Sequence, residues 1–319
     1  MKNLLNEITE DIKDIKAKKF EYIPTKSVPN RYDSSLTFER GQNKIGKELD
    51  TCVLFVDIRN SVALNKKHHT QTMGRIYSVF TKSILKAAKN HKGHVRNIIG
   101  DRVMIVFDPE NCFTNAIHCA YTINNISISI NSIFTDVDFK CGIGIDYGNL
   151  KVIKVGLHRQ GSEVAENRNL VWVGYPANIA SRLTDSANKV IKTTKFKVTY
   201  KSLIDFSFLS SSPLFKGIGG SPFLDSNITD TLTQDEFCEK INFENSKMKY
   251  SKGEFIKFEK ISSLKIFKKI IITKSVYDGY KNTNPNDLAI KNNWWSIVED
   301  HEIKDVNVEI YQSSVKWTI

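Results

Sequence analysis

Apolar positions change their period several times along this chain, and each change marks an element. Leu4, Leu5, Ile8, Ile12 and Ile15 recur at helical spacing and predict a short amphipathic helix within residues 1–19. A polar stretch containing Pro24 and Pro29 follows over 22–43 and reads as an extended lead-in. Residues 50–57, Asp-Thr-Cys-Val-Leu-Phe-Val-Asp, form a continuous apolar run closed by an acid, the pattern of a strand buried on both faces. Helices suit 58–67 and 71–90, the second with Ile76, Val79, Phe80, Ile84 and Leu85 on one face. Residues 91–107 predict a hairpin that turns at Gly100-Asp101 and returns over 102–107, with an acid at its tip. Residues 111–130 read as a helix, and 138–147 and 149–155 as two strands joined through Tyr147-Gly148. After a polar loop over 158–169 come the apolar run Val171 to Val173, a turn at Gly174-Tyr175-Pro176, a helix over 177–185, and a short strand and helix up to Leu203.

From about residue 205 the periodicity degrades. Ser and Gly cluster over 207–221, charge dominates 235–260, and apolar content recovers over 261–280 and 292–319. This predicts a lead-in over 1–45, a main domain over 46–206, and over 207–319 a linker followed by a small α+β module. The Trp294-Trp295 pair and Trp317 fit a compact core better than an interface.

Composition is that of a globular protein, 40% hydrophobic and 25% charged. No apolar run approaches the ~20 residues of a membrane span, and the first residues lack the apolar core of a signal peptide, so a cytoplasmic, non-membrane protein is expected. The five cysteines, Cys52, Cys112, Cys119, Cys141 and Cys238, have no CxxC spacing and read as reduced, buried thiols; any metal must then have oxygen ligands. A net charge of +11 admits a nucleic-acid or polyphosphate partner, but the 46 Lys and Arg are scattered, as on a solvated surface.

Two acids stand out. Asp57 closes a buried strand and Asp101 sits at a hairpin tip, and acids at such positions in one sheet can converge at its edge. A carboxylate pair binds Mg²⁺ or Mn²⁺ and leaves positions open for phosphate. Taken singly, each acid has a plainer reading, a helix cap or a turn. Asn178 and Arg182 are four apart, on one face of a helix, where an amide can hold a sugar and a guanidinium can neutralise charge on phosphorus.

These pieces together resemble the class III nucleotidyl cyclases, the adenylate and guanylate cyclase catalytic domain. The matching motifs stand in that family's order: Leu54-Phe-Val-Asp57-Ile-Arg-Asn-Ser61, Ile98-Ile-Gly-Asp101, Gly142-Ile-Gly-Ile-Asp-Tyr-Gly148 and Val173-Gly-Tyr-Pro-Ala-Asn178-Ile-Ala-Ser-Arg182. The resemblance covers about half the chain. It implies an α+β fold with a ferredoxin-like central sheet flanked by helices. It also implies metal ligation of two Mn²⁺ or Mg²⁺ ions by Asp57, Asp101 and the Ile58 carbonyl, ribose orientation by Asn178, and transition-state stabilisation by Arg182. It further implies a head-to-tail homodimer with composite sites.

By the same alignment the purine-selecting positions are Asn97 and Val171, and neither carries the family's purine pair. An Asn amide reads uracil or cytosine equally well by flipping. Phe55, Arg96 and Trp172 are bulky candidates for narrowing the pocket, the last two equally able to point away from it. A second resemblance, to the pyrimidine cyclases of the Pycsar antiphage system, rests on Asp57-Ile-Arg-Asn-Ser61, the missing purine pair, and the tail segments Ile272 to Tyr280 and Asn292 to Trp295. It implies UTP or CTP as substrate, with uridylate cyclase favoured over cytidylate cyclase. It also implies a cyclic nucleotide that activates a separate effector, and a tail acting as a sensor. The rival readings are a catalytically inactive nucleotide-binding sensor, a purine cyclase and a basic nucleic-acid-binding protein.

Overall fold

The computed structural model describes residues 1–159, 162–163, 168–203 and 223–318. In chain order the elements are α1 (Lys2–Ala17), β1 (Phe20–Pro24), β2 (Lys44–Ile58), α2 (Ser61–Lys67), α3 (Thr70–Asn90), β3 (Gly93–Ile99), β4 (Arg102–Phe107), α4 (Cys112–Ile133) and β5 (Cys141–Val155). A two-residue ribbon, β6 (His158–Arg159) and β7 (Ser162–Glu163), precedes β8 (Asn169–Val173), α5 (Tyr175–Ser186) and β9 (Val190–Leu203). Then come β10 (Phe223–Leu232), α6 (Gln234–Lys240), β11 (Ile241–Glu244), β12 (Lys247–Tyr250), β13 (Gly253–Ile266), β14 (Ile270–Thr273), α7 (Lys274–Thr283), α8 (Leu288–Lys291), β15 (Ser296–Ile297) and β16 (Ile310–Ser313).

The main sheet runs β15-β16-β14-β5-β2-β4-β3, with β1 parallel to β2 and β8 on β5. Strand β2 lies at its centre and is covered on both sides, which is why its sequence is nearly continuously apolar. Cys52, Leu54, Val56 and Ile58 pack with Ile143 and Ile145 of β5 against α3 and α4, through Phe80, Ile84, Ala120 and Ile123. On the opposite face Val53 and the half-buried Phe55 meet Ala177 and Ala180 of α5. Each fully buried Ile or Leu stabilises this layer by roughly 1.5–3 kcal/mol.

Helix α5 lies unusually close to β5, and the sequence Gly142-Ile-Gly144 permits it. A Cβ on Gly144 would stand 2.3 Å from the Ala180 carbonyl oxygen, and one on Gly142 would stand 2.0 Å from Arg59 Nη2. The Thr184 hydroxyl donates to the Phe55 carbonyl at 3.1 Å and fixes the helix to β2 as well.

The structure departs from the sequence reading in three places. The expected central hairpin at Tyr147-Gly148 is absent. Strand β5 runs unbroken through both residues and pairs antiparallel with β2 from Lys47↔Val152 to Ile58↔Cys141, because β2 offers a partner of equal length. The short strand and helix expected before Leu203 are one strand, β9, whose Phe196, Val198 and Tyr200 alternate with polar residues.

The third departure concerns domains. The chain forms two compact units, 1–189 with 267–319, and 190–266, in place of a boundary at residue 206 and a separate tail module. Strand β14 pairs parallel with β5 over Ile270↔Ile143 to Ile272↔Ile145, and β16 pairs with β14, so the tail completes the main sheet. Trp295 is buried in the same core, and Trp317 packs against it with its Nε1 donating to Thr122 Oγ1 at 2.9 Å. The chain leaves this unit after Lys189 and rejoins it at Phe267, whose amide donates to the Lys189 carbonyl at 2.9 Å. The second unit is a sheet of order β10-β9-β13-β12-β11 with a small core of Val198, Tyr200, Leu232, Ile241 and Tyr250. Helix α6 in it starts from a capping box between Thr233 and Glu236. The linker expected over 207–227 lies largely outside the described residues, and its last positions open β10.

Four of the five cysteines are buried, while Cys238 is exposed. No helix among the described residues is long and apolar enough to cross a membrane.

Candidate active site

Asp57 occupies the next-to-last position of β2, directly across the ladder from Arg102 of β4 and Gly142 of β5. The hairpin is as tight as the sequence predicts: Ile99 pairs with Arg102 around a Gly100-Asp101 turn, and Gly100 takes φ +60°, where glycine is favoured. Asp101 therefore lies one rung from Asp57 on the neighbouring strand, about 5–7 Å away between Cα atoms by ladder spacing. Ile58 closes β2 with its side chain in the core, which leaves only its backbone at that edge.

The electrostatics of the two acids differ. Asp57 is 14% exposed, and its Oδ2 accepts from Arg102 Nη2 at 2.9 Å, with Arg59 Nη1 at 3.5 Å. Its Oδ1 takes part in no hydrogen bond among the described residues. Asp101 is half-buried and has no hydrogen-bond or ion-pair partner among them. Arg102 is a hub: Nη1 donates to Ser181 Oγ at 2.9 Å, and Nη2 also reaches Asp185, so the strand is tied to α5. Burial works against the Arg102 charge, but the hydrogen bonds to Asp57 and Asp185 outweigh it and hold its pKa above the ordinary value. Arg59 is buried and donates to the Thr184 carbonyl, and burial lowers its pKa despite the nearby Asp57.

Neither arginine was singled out from the sequence as a site residue. The signal was available, since an Arg next to the tip acid of a two-residue hairpin must face a residue on the adjacent strand. Among the described residues no three His, Cys, Asp or Glu side chains are grouped to hold a metal. A pair of carboxylates fits Mg²⁺ or Mn²⁺ nonetheless, because these ions are commonly held by one or two carboxylates together with substrate phosphates. The hard oxygens of Asp101 and of Asp57 Oδ1 provide such a pair.

On α5, Asn178 is exposed and Arg182 half-exposed, one turn apart on the same face as expected. They line a cleft of about 460 Å³ with Tyr175, Ser181, Asp185 and Asp305. Arg182 Nη2 lies 2.6 Å from Asp305 Oδ2, an acid of the tail that the sequence reading did not flag. Asp57 and Asp101 are not among the residues lining this cleft, while Arg102 links Asp57 to Ser181 and Asp185 on its wall.

Asn97, Met104, Phe55 and Gly144 form one row across β3, β4, β2 and β5, so Asn97 and Phe55 share a face. Val171 does not join them. It pairs with Ile153 and is 42% exposed, and the next residue, Trp172, packs against the same core cluster as Phe55. Strand alternation makes this a shift of one position. Arg96 donates to the Val28 carbonyl at 3.2 Å and so braces the lead-in.

The main sheet and α5 carry the four motifs by which the sequence resembles the class III nucleotidyl cyclases. No family model matches the chain. A uridylate cyclase from Burkholderia cepacia is 30% identical over 183 residues, 55% of this chain and 75% of that protein. A second, from Xanthomonas perforans, is 29% identical over 209 residues, 63% of this chain and 84% of that protein. Among solved structures, the guanylyl cyclase Cya2 superposes with a TM-score of 0.48 at 12% identity, over 85% of this chain and 95% of that one. The chain belongs to the uridylate cyclase family.

Proposed function

We propose that the protein converts UTP to 3′,5′-cyclic UMP and pyrophosphate, in a head-to-tail homodimer whose sites combine the acids of one subunit with the Asn-Arg helix of its twin. The reading is supported above all by the convergence of Asp57 and Asp101 on adjacent rungs of one sheet edge, and by relatives that are uridylate cyclases.

Asp57, Asp101 and the Ile58 carbonyl would hold the divalent ions, Mn²⁺ or Mg²⁺. Bound there, such ions acidify the 3′-hydroxyl and neutralise the triphosphate. Asn178 positions the ribose by hydrogen bonds, and Arg182 sets its guanidinium against the charge that grows on the α-phosphoryl group. As the O3′–Pα bond forms, the 3′-hydroxyl proton passes to solvent, the bond from Pα to the bridging oxygen breaks, and pyrophosphate leaves with the electron pair. Asn97 reads the pyrimidine edge, with Phe55 and Trp172 narrowing the base pocket. The product would act as a second messenger in antiphage defence, through a separate cyclic-nucleotide-activated effector.

Incubating the protein with Mn²⁺ and each of the four nucleoside triphosphates separately, with products resolved by mass spectrometry, tests the substrate. Cyclic UMP is expected as the main product. Cyclic CMP alone would shift the reading to a cytidylate cyclase, and product only from ATP or GTP would remove the pyrimidine assignment. Mixing Asp57→Ala chains with Arg182→Ala chains should restore about one intact site per heterodimer. No recovery in a verified heterodimer rules out shared sites.

A further inference from the structure

Helix α1 turns its apolar side to solvent and its polar side to its own chain, the reverse of an ordinary surface helix. Glu10 and Asp11 lie 3.9 and 3.7 Å from Arg40. Asp14 accepts from the Gly41 amide at 3.1 Å, with Lys44 Nζ 3.6 Å away, so polar contacts tie the helix to the segment before β2. Leu4, Leu5, Ile8, Ile12 and Ile15 are between 43% and 60% exposed, and no residue of the helix is buried. A 16-residue helix has little stability of its own in water, and five large apolar side chains in one stripe are costly unless something covers them.

Their spacing says what the cover is. Leu5, Ile8, Ile12 and Ile15 are three, four and three apart and fall within an arc of about 80°, the 3.5-residue repeat by which helices wind about each other. With Leu5 and Ile12 at the first core position of the heptad and Ile8 and Ile15 at the second, Asp11 and Lys16 flank the seam on its two sides. A parallel second copy in register sets Asp11 of each chain against Lys16 of the other, twice by symmetry. An antiparallel copy would set Lys16 against Lys2 instead. Lys16 is exposed, and Arg40 reaches Asp11 only at 3.7 Å, so both are open to this pairing. A lipid surface fits less well: helices that lie on membranes are rich in Lys and Arg, whereas α1 has three lysines against four acids.

We infer that α1 forms a contact between subunits, a short parallel pair with α1 of a second copy, closed by Leu5, Ile8, Ile12 and Ile15 and oriented by Asp11 and Lys16. Two heptads are too few to hold chains together alone, so the pair adds to the homodimer proposed above and in that respect rests on it. That dimer also sets the number of helices at two, where isoleucine at both core positions would by itself admit three or four.

Cysteine crosslinking of the full chain tests the pair without nucleotide or metal. Cys238, the exposed native thiol, is first changed to Ser; the other four are buried. In that chain Ile12→Cys should give a disulfide-linked dimer on oxidation with copper phenanthroline, and Lys13→Cys, off the seam, about tenfold less, since a disulfide needs its two Cβ atoms close together. Adding Ile8→Glu should abolish the link. Lys16→Glu should reduce it severalfold, and Asp11→Lys in the same chain should restore it. Sedimentation separates the two ways to fail. A chain that sediments as a dimer without the Ile12→Cys link overturns this inference alone, and a monomer without the link overturns it together with the homodimer. A link between Leu5→Cys and Ile12→Cys chains, with none between two Ile12→Cys chains, overturns the parallel arrangement. Binding to phosphatidylglycerol vesicles that Ile8→Glu removes, with no Ile12→Cys link, overturns the inference in favour of a lipid surface.

Discussion

Replacing Arg102 by Met should loosen the protein and tighten its grip on divalent ions at once. The guanidinium makes three polar contacts: Asp57 Oδ2 at 2.9 Å, Ser181 Oγ at 2.9 Å, and Asp185. Hydrogen bonds to charged groups contribute roughly 1.5–3 kcal/mol each when buried. Arg102 is 27% exposed and Asp57 keeps Arg59 at 3.5 Å, so the summed loss should be only about 1–3 kcal/mol. For a unit of this size that is a fall in Tm of about 2–4 °C per kcal/mol. The effect on metal has the opposite sign. An ion held by Asp57 Oδ1 shares that carboxylate with the Arg102 charge on Oδ2, and removing the competing cation, worth about 1.5 kcal/mol, should tighten Mn²⁺ binding about tenfold. Thermal unfolding by circular dichroism gives the first number. Mn²⁺ titration by electron paramagnetic resonance without nucleotide gives the second, independent of catalysis. A folded Arg102→Met chain that binds Mn²⁺ more weakly than the unmodified protein would refute this reasoning. It would mean that Arg102 holds Asp57 in the geometry the ion needs.

Three further outcomes follow from other parts of the molecule. Asp305→Asn releases Arg182 from its 2.6 Å ion pair, so turnover of UTP should rise about two- to fivefold; the pair is more than a third exposed, so stability should change by less than about 1 kcal/mol. Arg182→Ala, in contrast, should cost on the order of 10²–10³ in turnover, and equal activity in both variants would remove Arg182 from the site. Gly144→Ala forces a Cβ to within 2.3 Å of the Ala180 carbonyl and 2.4 Å of the Thr184 amide, so α5 must shift. A loss of roughly 2–4 kcal/mol in urea unfolding is expected, and one under 0.5 kcal/mol contradicts the close packing. Burial lowers the pKa of both His91 and His118 below 6.5, so the unfolded chain takes up protons first as pH falls. Their contribution to stability is complete above pH 6.5 and is lost below it. The urea midpoint should fall between pH 7.5 and 5.5, and less steeply in His118→Gln; equal slopes would acquit His118.

Much of the fold was legible because burial and period agree locally. The apolar run from Thr51 to Val56 announces a strand covered on both faces, and Gly100-Asp101 announces the tight hairpin. Failures arose where a long-range partner overrode a local signal. Tyr147-Gly148 looks like a turn, but β2 presents an equally long ladder and β5 follows it through. Likewise, Ile270 to Thr273 reads as the start of a separate module, although its four buried residues are one more strand of the main sheet, reached only after the excursion of 190–266. Local sequence carries no record of which strand returns to which sheet, because that choice is made by burial between segments far apart in the chain.

The candidate site shows the same division at the scale of single residues. Asp57, Asp101, Asn178 and Arg182 were singled out from residue type and order, and the ladder sets Asp57 opposite Arg102, the neighbour of Asp101. Their neutralising partners were not found, because each is set by register. Arg102 meets Asp57 through the register of β4 on β2; a slip of one residue in that ladder would bring a residue of the opposite face to Asp57. Arg182 meets Asp305 because β16 brings the tail back to the sheet. Register also separates Val171 from its neighbour: with Val152 opposite Trp172, alternation turns the indole to the face of the core cluster that Phe55 packs against, and the valine to the other. On the proposed function, the base would then be selected by Asn97, Phe55 and Trp172 together. Val171→Ala should leave the product unchanged, whereas Trp172→Ala should relax the preference for a pyrimidine. Competition between UTP and ATP, read by product ratio, separates the two positions. A larger shift in Val171→Ala than in Trp172→Ala would place the register one residue away from where the ladder puts it.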